Sequence, residues 1–351
     1  MSAIKKVSPV NVLTICMLII TGFSGCDVSP TQPEQDVTGA SLFVMNALSQ
    51  TVSRISLVTE EVDSVFAYTE AVPGDMALLG DRLLVLNSIP ASLQVISLQD
   101  TTTRQTYNLT PGSNPYDLYA TSEHLYVSGL NSGQLYILDA ANYRVIDSVG
   151  VGAAPEGVAA DESLIYVASS DGWQQGYAHS AVHVLSRRSY APVDTVPVHP
   201  NPQRLALATD GMLHVVCTGN YVDEFGVVEV IHPVTLSVET SLQSGGAPGY
   251  ILLATDDRAF LSAFGMEFDQ GSAGFLYTYN PGDFQLLRDS GNPIEVGYGA
   301  MGMAYDQEQN LVYVANFKEN TVQGLDPQTY QINSTYPVGD GPQSVTVYRP
   351  R

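Results

Sequence analysis

Positive charge is scarce in this chain. Lys and Arg number 14 against 36 Asp and Glu over 351 residues, a formal net charge of −22. Such a surface repels phosphate backbones and anionic headgroups, which argues against a nucleic-acid partner. After Lys5-Lys6 the one basic dipeptide is Arg187-Arg188, too little to track a phosphate chain. Cysteine is scarcer still, with Cys16, Cys26 and Cys217 only. A disulfide framework is therefore not expected. Catalytic signatures are also missing. The sequence holds no HExxH, no Cys–His metal spacing, no GxSxG and no P-loop. No metal, cofactor or catalytic residue is assigned. His179 and His183 have a metal-compatible spacing only on a helix, and here they flank a loop-to-strand junction.

One apolar run stands out, Val10 to Ile20, behind Lys5 and Lys6. It is short for a membrane span and fits the apolar core of a signal peptide. Phe23-Ser24-Gly25-Cys26 follows it. These four residues resemble the bacterial lipobox, in which small residues precede the lipidated Cys. The resemblance implies cleavage of residues 1–25 and lipid attachment at Cys26. Residues 26–38 then form a polar, Pro-containing tether. The expected location is the cell envelope, on the periplasmic or the surface side of a bacterial membrane, with the lipid holding the protein there. Cys217, in HVVCTG, is expected to be a buried strand residue.

The rest of the chain is rich in turn formers and aromatics: 30 Gly, 20 Pro and 20 Tyr. It repeats. PYDLYATSEHLYVSGL at 115 restarts as PEGVAADESLIYVASS at 155 and PQRLALATDGMLHVVCTG at 202. Further copies begin at 73, 248, 300 and 342, giving intervals of 42, 40, 47, 46, 52 and 42 residues. Each full copy contains four short segments of alternating polarity separated by Gly, Asn, Asp or Pro. That is four antiparallel strands per unit, the period of a propeller blade. The last copy, GPQSVTVYRPR, supplies a first strand only, and residues 41–70 supply three strands without a first. Joined, they complete one blade. The expected fold is an all-β, seven-bladed propeller over 39–351, closed by pairing of its C-terminal strand with its N-terminal strands.

Tyr126-Val-Ser-Gly, Tyr166-Val-Ala-Ser and Tyr313-Val-Ala-Asn carry a family resemblance. They resemble the YVTN repeat of bacterial and archaeal surface-exposed β-propellers. The resemblance implies architecture rather than activity, since that broad group includes binding proteins and a few enzymes.

Aligning the copies isolates one variable position, the second residue after the starting Pro: Asp75, Asp117, Gly157, Arg204, Tyr250, Gly302 and Ser344. The next position is apolar throughout. A variable position beside a constant core is expected to face solvent, here at the mouth of the central channel. Asp75, Asp117, Arg204 and Tyr250 are therefore candidates to converge on a ligand. The link between the second and third strands also lengthens in three adjacent blades. These links carry Trp173, Tyr177, Tyr221, Phe225 and Phe268 among Asp171, Asp223, Glu224, Glu267 and Asp269. Exposed aromatics beside acids suit a cationic or sugar-like ligand or a protein partner. The alternative is that these rings pack down onto their own blades. Two functions follow. One is a non-catalytic, monomeric lipoprotein domain that binds a partner or small ligand at the channel mouth. The other is a lactonase-like hydrolase, with a carboxylate near Arg204 activating water.

Overall fold

The computed structural model describes residues 37–265 and 273–350. The lipobox, Cys26, Phe268, Glu267 and Asp269 lie outside the described residues. Seven antiparallel sheets make the fold. We number the blades from Pro73, so blade one is Pro73–Leu79, Arg82–Asn87, Ser92–Ser97 and Arg104–Asn108 from the channel outward. Blades two to six start at Pro115, Pro155, Pro202, Pro248 and Ala300.

The seventh blade joins both ends of the chain. Its order from the channel is Pro342–Tyr348, Ser41–Asn46, Thr51–Ser56 and Val62–Tyr68. The shared register sets Ser41 opposite Tyr348 and Val44 opposite Val345. Neighbours lock the last residues from both sides. Tyr348 donates its hydroxyl to Asp81 of blade one at 2.8 Å, and Arg349 grips Asp306 of blade six at 2.7 Å. A closed ring leaves no unpaired face between blades, and each sheet exposes only its outer strand.

The core lies between blades rather than within one. Seven apolar clusters fill the seven boundaries. This explains the repeated Tyr of the second strand. Tyr126, Tyr166 and Tyr313 are all buried within these boundary clusters. Each ring fills a boundary while its hydroxyl finds a polar partner, as a buried Tyr requires. Tyr166 donates to Asp161 at 2.9 Å and Tyr313 to Gln309 at 2.6 Å, while Tyr126 accepts from Arg187 at 3.2 Å. Cys217 is fully buried in the strand Leu213–Cys217.

Two local devices aim the innermost strands. First, the residue before the start of the copy has positive φ in six copies: Val72, Asn114, Ala154, Asn201, Gly299 and Gly341. Its carbonyl accepts the amide that follows the second strand, as in Ser170 to Ala154 at 3.1 Å and Thr218 to Asn201 at 2.9 Å. Second, every innermost strand has a register shift within three residues of its start. Such a bulge breaks the alternation of faces and re-aims side chains. It does so seven times around the channel.

Candidate functional site

The structure brings Asp75, Asp117, Arg204 and Tyr250 together. Arg204 bridges Asp117 directly and lies 3.5 Å from Asp75. Its guanidinium sits 5.0 Å from the ring centroid of Tyr250 and 5.5 Å from that of Tyr116. A planar cation suits two tyrosine faces and a carboxylate pair at once. Burial opposes the charge on Arg204, but Asp75 and the two tyrosines hold the group above its ordinary range. Two carboxylates serve this one cation. Burial pushes the Asp75 carboxyl up, and the pull of Arg204 and the bonds that it accepts counter this only in part.

The expectation of a solvent-facing ring needs correction. Asp75 and Asp117 are buried, and the arginine joining them is mostly covered. The reason is their second set of bonds. Asp75 accepts from the Leu118 amide at 3.2 Å, and Asp117 accepts from the Val158 amide at 2.7 Å. Each carboxylate thus reaches the backbone of the next blade. Ser344 of blade seven donates in turn to Asp75 at 3.3 Å. The two glycines at this position do the opposite. A Cβ on Gly157 would stand 2.8 Å from the Arg204 Cα, and one on Gly302 would stand 3.0 Å from the Ser344 Cα. Glycine is present there because the next strand comes too close for a side chain. The variable position is therefore a set of blade-to-blade fasteners as well as a lining of the channel.

Sequence reasoning missed Glu156, one residue earlier in the copy. The bulge turns this position into the channel too. Glu156 is 6% exposed, and its carboxyl meets the side chains of Ser170, Tyr116 and Gln203. Burial pushes its carboxyl up to about 8. A group with that environment is protonated at neutral pH and can donate a hydrogen bond. Tyr116 donates to Gln203 at 3.2 Å, joining both to the same cluster.

The long links rise from the same end of the strands as Glu156. The aromatics behave differently from one another. Trp173, on the short 3₁₀ turn Trp173–Gln175, is 47% exposed. Phe225 is 45% exposed. Tyr221 exposes 47% of its surface but turns its hydroxyl inward to Asn201 and Thr218, and burial of that hydroxyl pushes it up to about 12. Tyr177 departs from the expectation of exposure. It is 8% exposed and packed down, with burial and then Tyr221 and Glu156 holding its hydroxyl above the ordinary tyrosine range. So the links cap the channel mouth with two tyrosines and leave Trp173 and Phe225 outside.

The histidines do not converge. His179 pairs with Asp171 at 2.9 Å, whereas His183 lies 3.4 Å from the Thr195 hydroxyl. Among the described residues no group of three or more His, Cys, Asp and Glu side chains is placed to hold a metal ion. His214 is buried, and its Nδ1 is 2.7 Å from the Tyr279 hydroxyl across the boundary between blades four and five.

No known family's sequence profile matches the chain, and no curated protein matches it in sequence. Solved structures do match. A candidate 6-phosphogluconolactonase from Bacteroides fragilis aligns at 12% identity with a TM-score of 0.67, over 92% of this chain and 100% of that one. A protein of unknown function from Desulfotomaculum acetoxidans aligns at 14% identity and 0.67, over 90% and 100%. Hydrazine synthase of Kuenenia stuttgartiensis aligns at 17% identity and 0.65, over 79% and 95%. The chain is a seven-bladed β-propeller. At such identities the likeness extends to the fold and no further.

Proposed function

We propose that the protein is a cell-envelope lipoprotein of the YVTN-repeat type, anchored through Cys26, whose propeller binds a partner protein or small ligand at the channel-mouth face without catalysing a reaction. One observation supports this most. The charged groups at the mouth are engaged in holding blades together, while Trp173, Tyr221 and Phe225 each leave close to half of their surface open on neighbouring links of that face. Rigid strands carrying exposed aromatics on loops are a common basis for recognition. Replacing Trp173 and Tyr221 together by Ala is expected to abolish capture of the partner from membrane extract, with the melting temperature unchanged. Undiminished capture by that variant rejects the reading.

Glu156 favours a second reading, a hydrolase of the lactonase kind named for some structural neighbours. Asp75 and Asp117 are tied to amides, so the group suited to proton transfer is the raised carboxyl of Glu156. Turnover of 6-phosphogluconolactone by the purified chain, lost in Glu156→Gln, would favour the enzyme over the binding protein.

A further inference from the structure

Blade five has the longest interval, 52 residues from Pro248 to Ala300. Its outer strand is broken in two. Leu286–Arg288 and Ile294–Val296 pair separately with Gly274–Tyr279, and residues 289–293 swing out between them. Among the described residues the other six blades each keep one continuous outer strand. The break opens a groove against blade four. Two cavities of about 420 and 330 Å³ share Phe225, Gly245 and Ser290 as walls, so they form one elongated space.

The two halves differ in chemistry. The smaller is lined by Phe225, Phe275, Tyr277 and Pro293. The larger is lined by Asp223, Glu224, Asp289 and His199, with no Lys or Arg among the described residues. Among the described residues the His199 Nε2 has no hydrogen-bond partner, and it lies 3.9 Å from Glu224. Arg288, beside the break, donates to the Asn292 side chain at 2.7 Å and sets its guanidinium 5.5 Å from the Tyr330 ring of blade six; it does not line the groove. Among the described residues His199 is therefore the one basic side chain that the groove sets against three carboxylates, on a protein that already carries a large negative charge.

We propose that this groove receives an extended segment of a partner protein, with a basic side chain in the acidic half and an apolar one against the aromatic half. The inference rests on the binding reading above and names its partner chemistry. Charge complementarity selects the cation. The end-to-end arrangement of unlike halves matches neighbouring side chains of a peptide better than one compact molecule.

The test uses fluorescein-labelled hexapeptides that combine lysines with a phenylalanine, and matched peptides with glutamates in place of the lysines. They are titrated into the full chain and followed by fluorescence anisotropy. The lysine peptides should bind saturably and the glutamate peptides should not. The combined variant Asp223→Asn, Glu224→Gln, Asp289→Asn should bind the lysine peptides at least about tenfold more weakly, at unchanged melting temperature. Phe225→Ala should weaken them as well, and Trp173→Ala should not. Failure of the lysine peptides to bind the parent chain, or equal binding by the combined variant, overturns the groove. If membrane-extract capture is lost with Trp173→Ala and Tyr221→Ala yet persists in the combined variant, the groove is wrong and the wider binding reading stands.

Discussion

The Asp117 carboxylate accepts the Val158 amide at 2.7 Å while also bridging Arg204, so one side chain fastens blades two, three and four. Removing one partner of a buried charge network leaves the others desolvated without compensation. Asp117→Ala should therefore destabilise the protein by roughly 3 kcal/mol. Denaturant melts of Asp117→Ala, Arg204→Met and the double variant test this. The double variant should be markedly less damaged than the sum of the singles. Additive losses would show that the two groups do not form one unit.

Glu156 makes the opposite kind of prediction. Its carboxyl is raised to about 8 in the folded chain, against an ordinary value of 4.5. The folded state then holds the proton more tightly than the unfolded one. The associated stability is complete below pH 4.5 and fades as pH rises toward 8. Glu156→Gln, which cannot ionise, should gain on the parent across that window, by roughly 3 kcal/mol near its upper end. Parallel melting curves of the two proteins from pH 4.5 to 8 would refute the buried, protonated state.

His214 should act in the other direction. Burial lowers it from 6.5 to about 4, so the unfolded chain takes up the proton first on acidification. Its contribution is present above pH 6.5 and is lost as pH falls toward 4, by roughly 3 kcal/mol in all. His214→Gln keeps a partner for the Tyr279 hydroxyl but removes the titration. Its stability should decline less steeply than the parent's between those pH values.

Deleting residues 341–351 removes the innermost strand of blade seven together with the Tyr348–Asp81 and Arg349–Asp306 ties. The strand Ser41–Asn46 would then present an unpaired edge to the channel. The truncated chain should lose cooperative unfolding by circular dichroism and become sensitive to limited proteolysis. A truncation that melts like the full chain is incompatible with the shared blade.

Periodicity made the architecture readable, because a repeat has to present the same core positions to each neighbour. It also singled out Asp75, Asp117, Arg204 and Tyr250 as one position in space. Their burial was not readable, since the bonds that tie both aspartates to the next blade come from main-chain amides, which carry no sequence signal. Glu156 escaped for a different reason. Strict alternation assigns successive residues to opposite faces, and the bulge after the starting Pro cancels that rule for just those two positions. That Tyr177 packs down while Trp173 stays out was not readable, because a loop's composition does not reveal which of its rings turns down. The broken outer strand of blade five leaves a trace in the 52-residue interval, but an interval does not say which of its segments is interrupted.

Because Ser41–Asn46 waits for Pro342–Tyr348, the earliest part of the barrel-shaped ring to be synthesised pairs with the last. A ribosome must finish the chain before the circle can form. Contacts between such distant residues slow folding. Blades one to six can therefore form in order while the circle stays open, and closure of blade seven is the step that waits for the final strand.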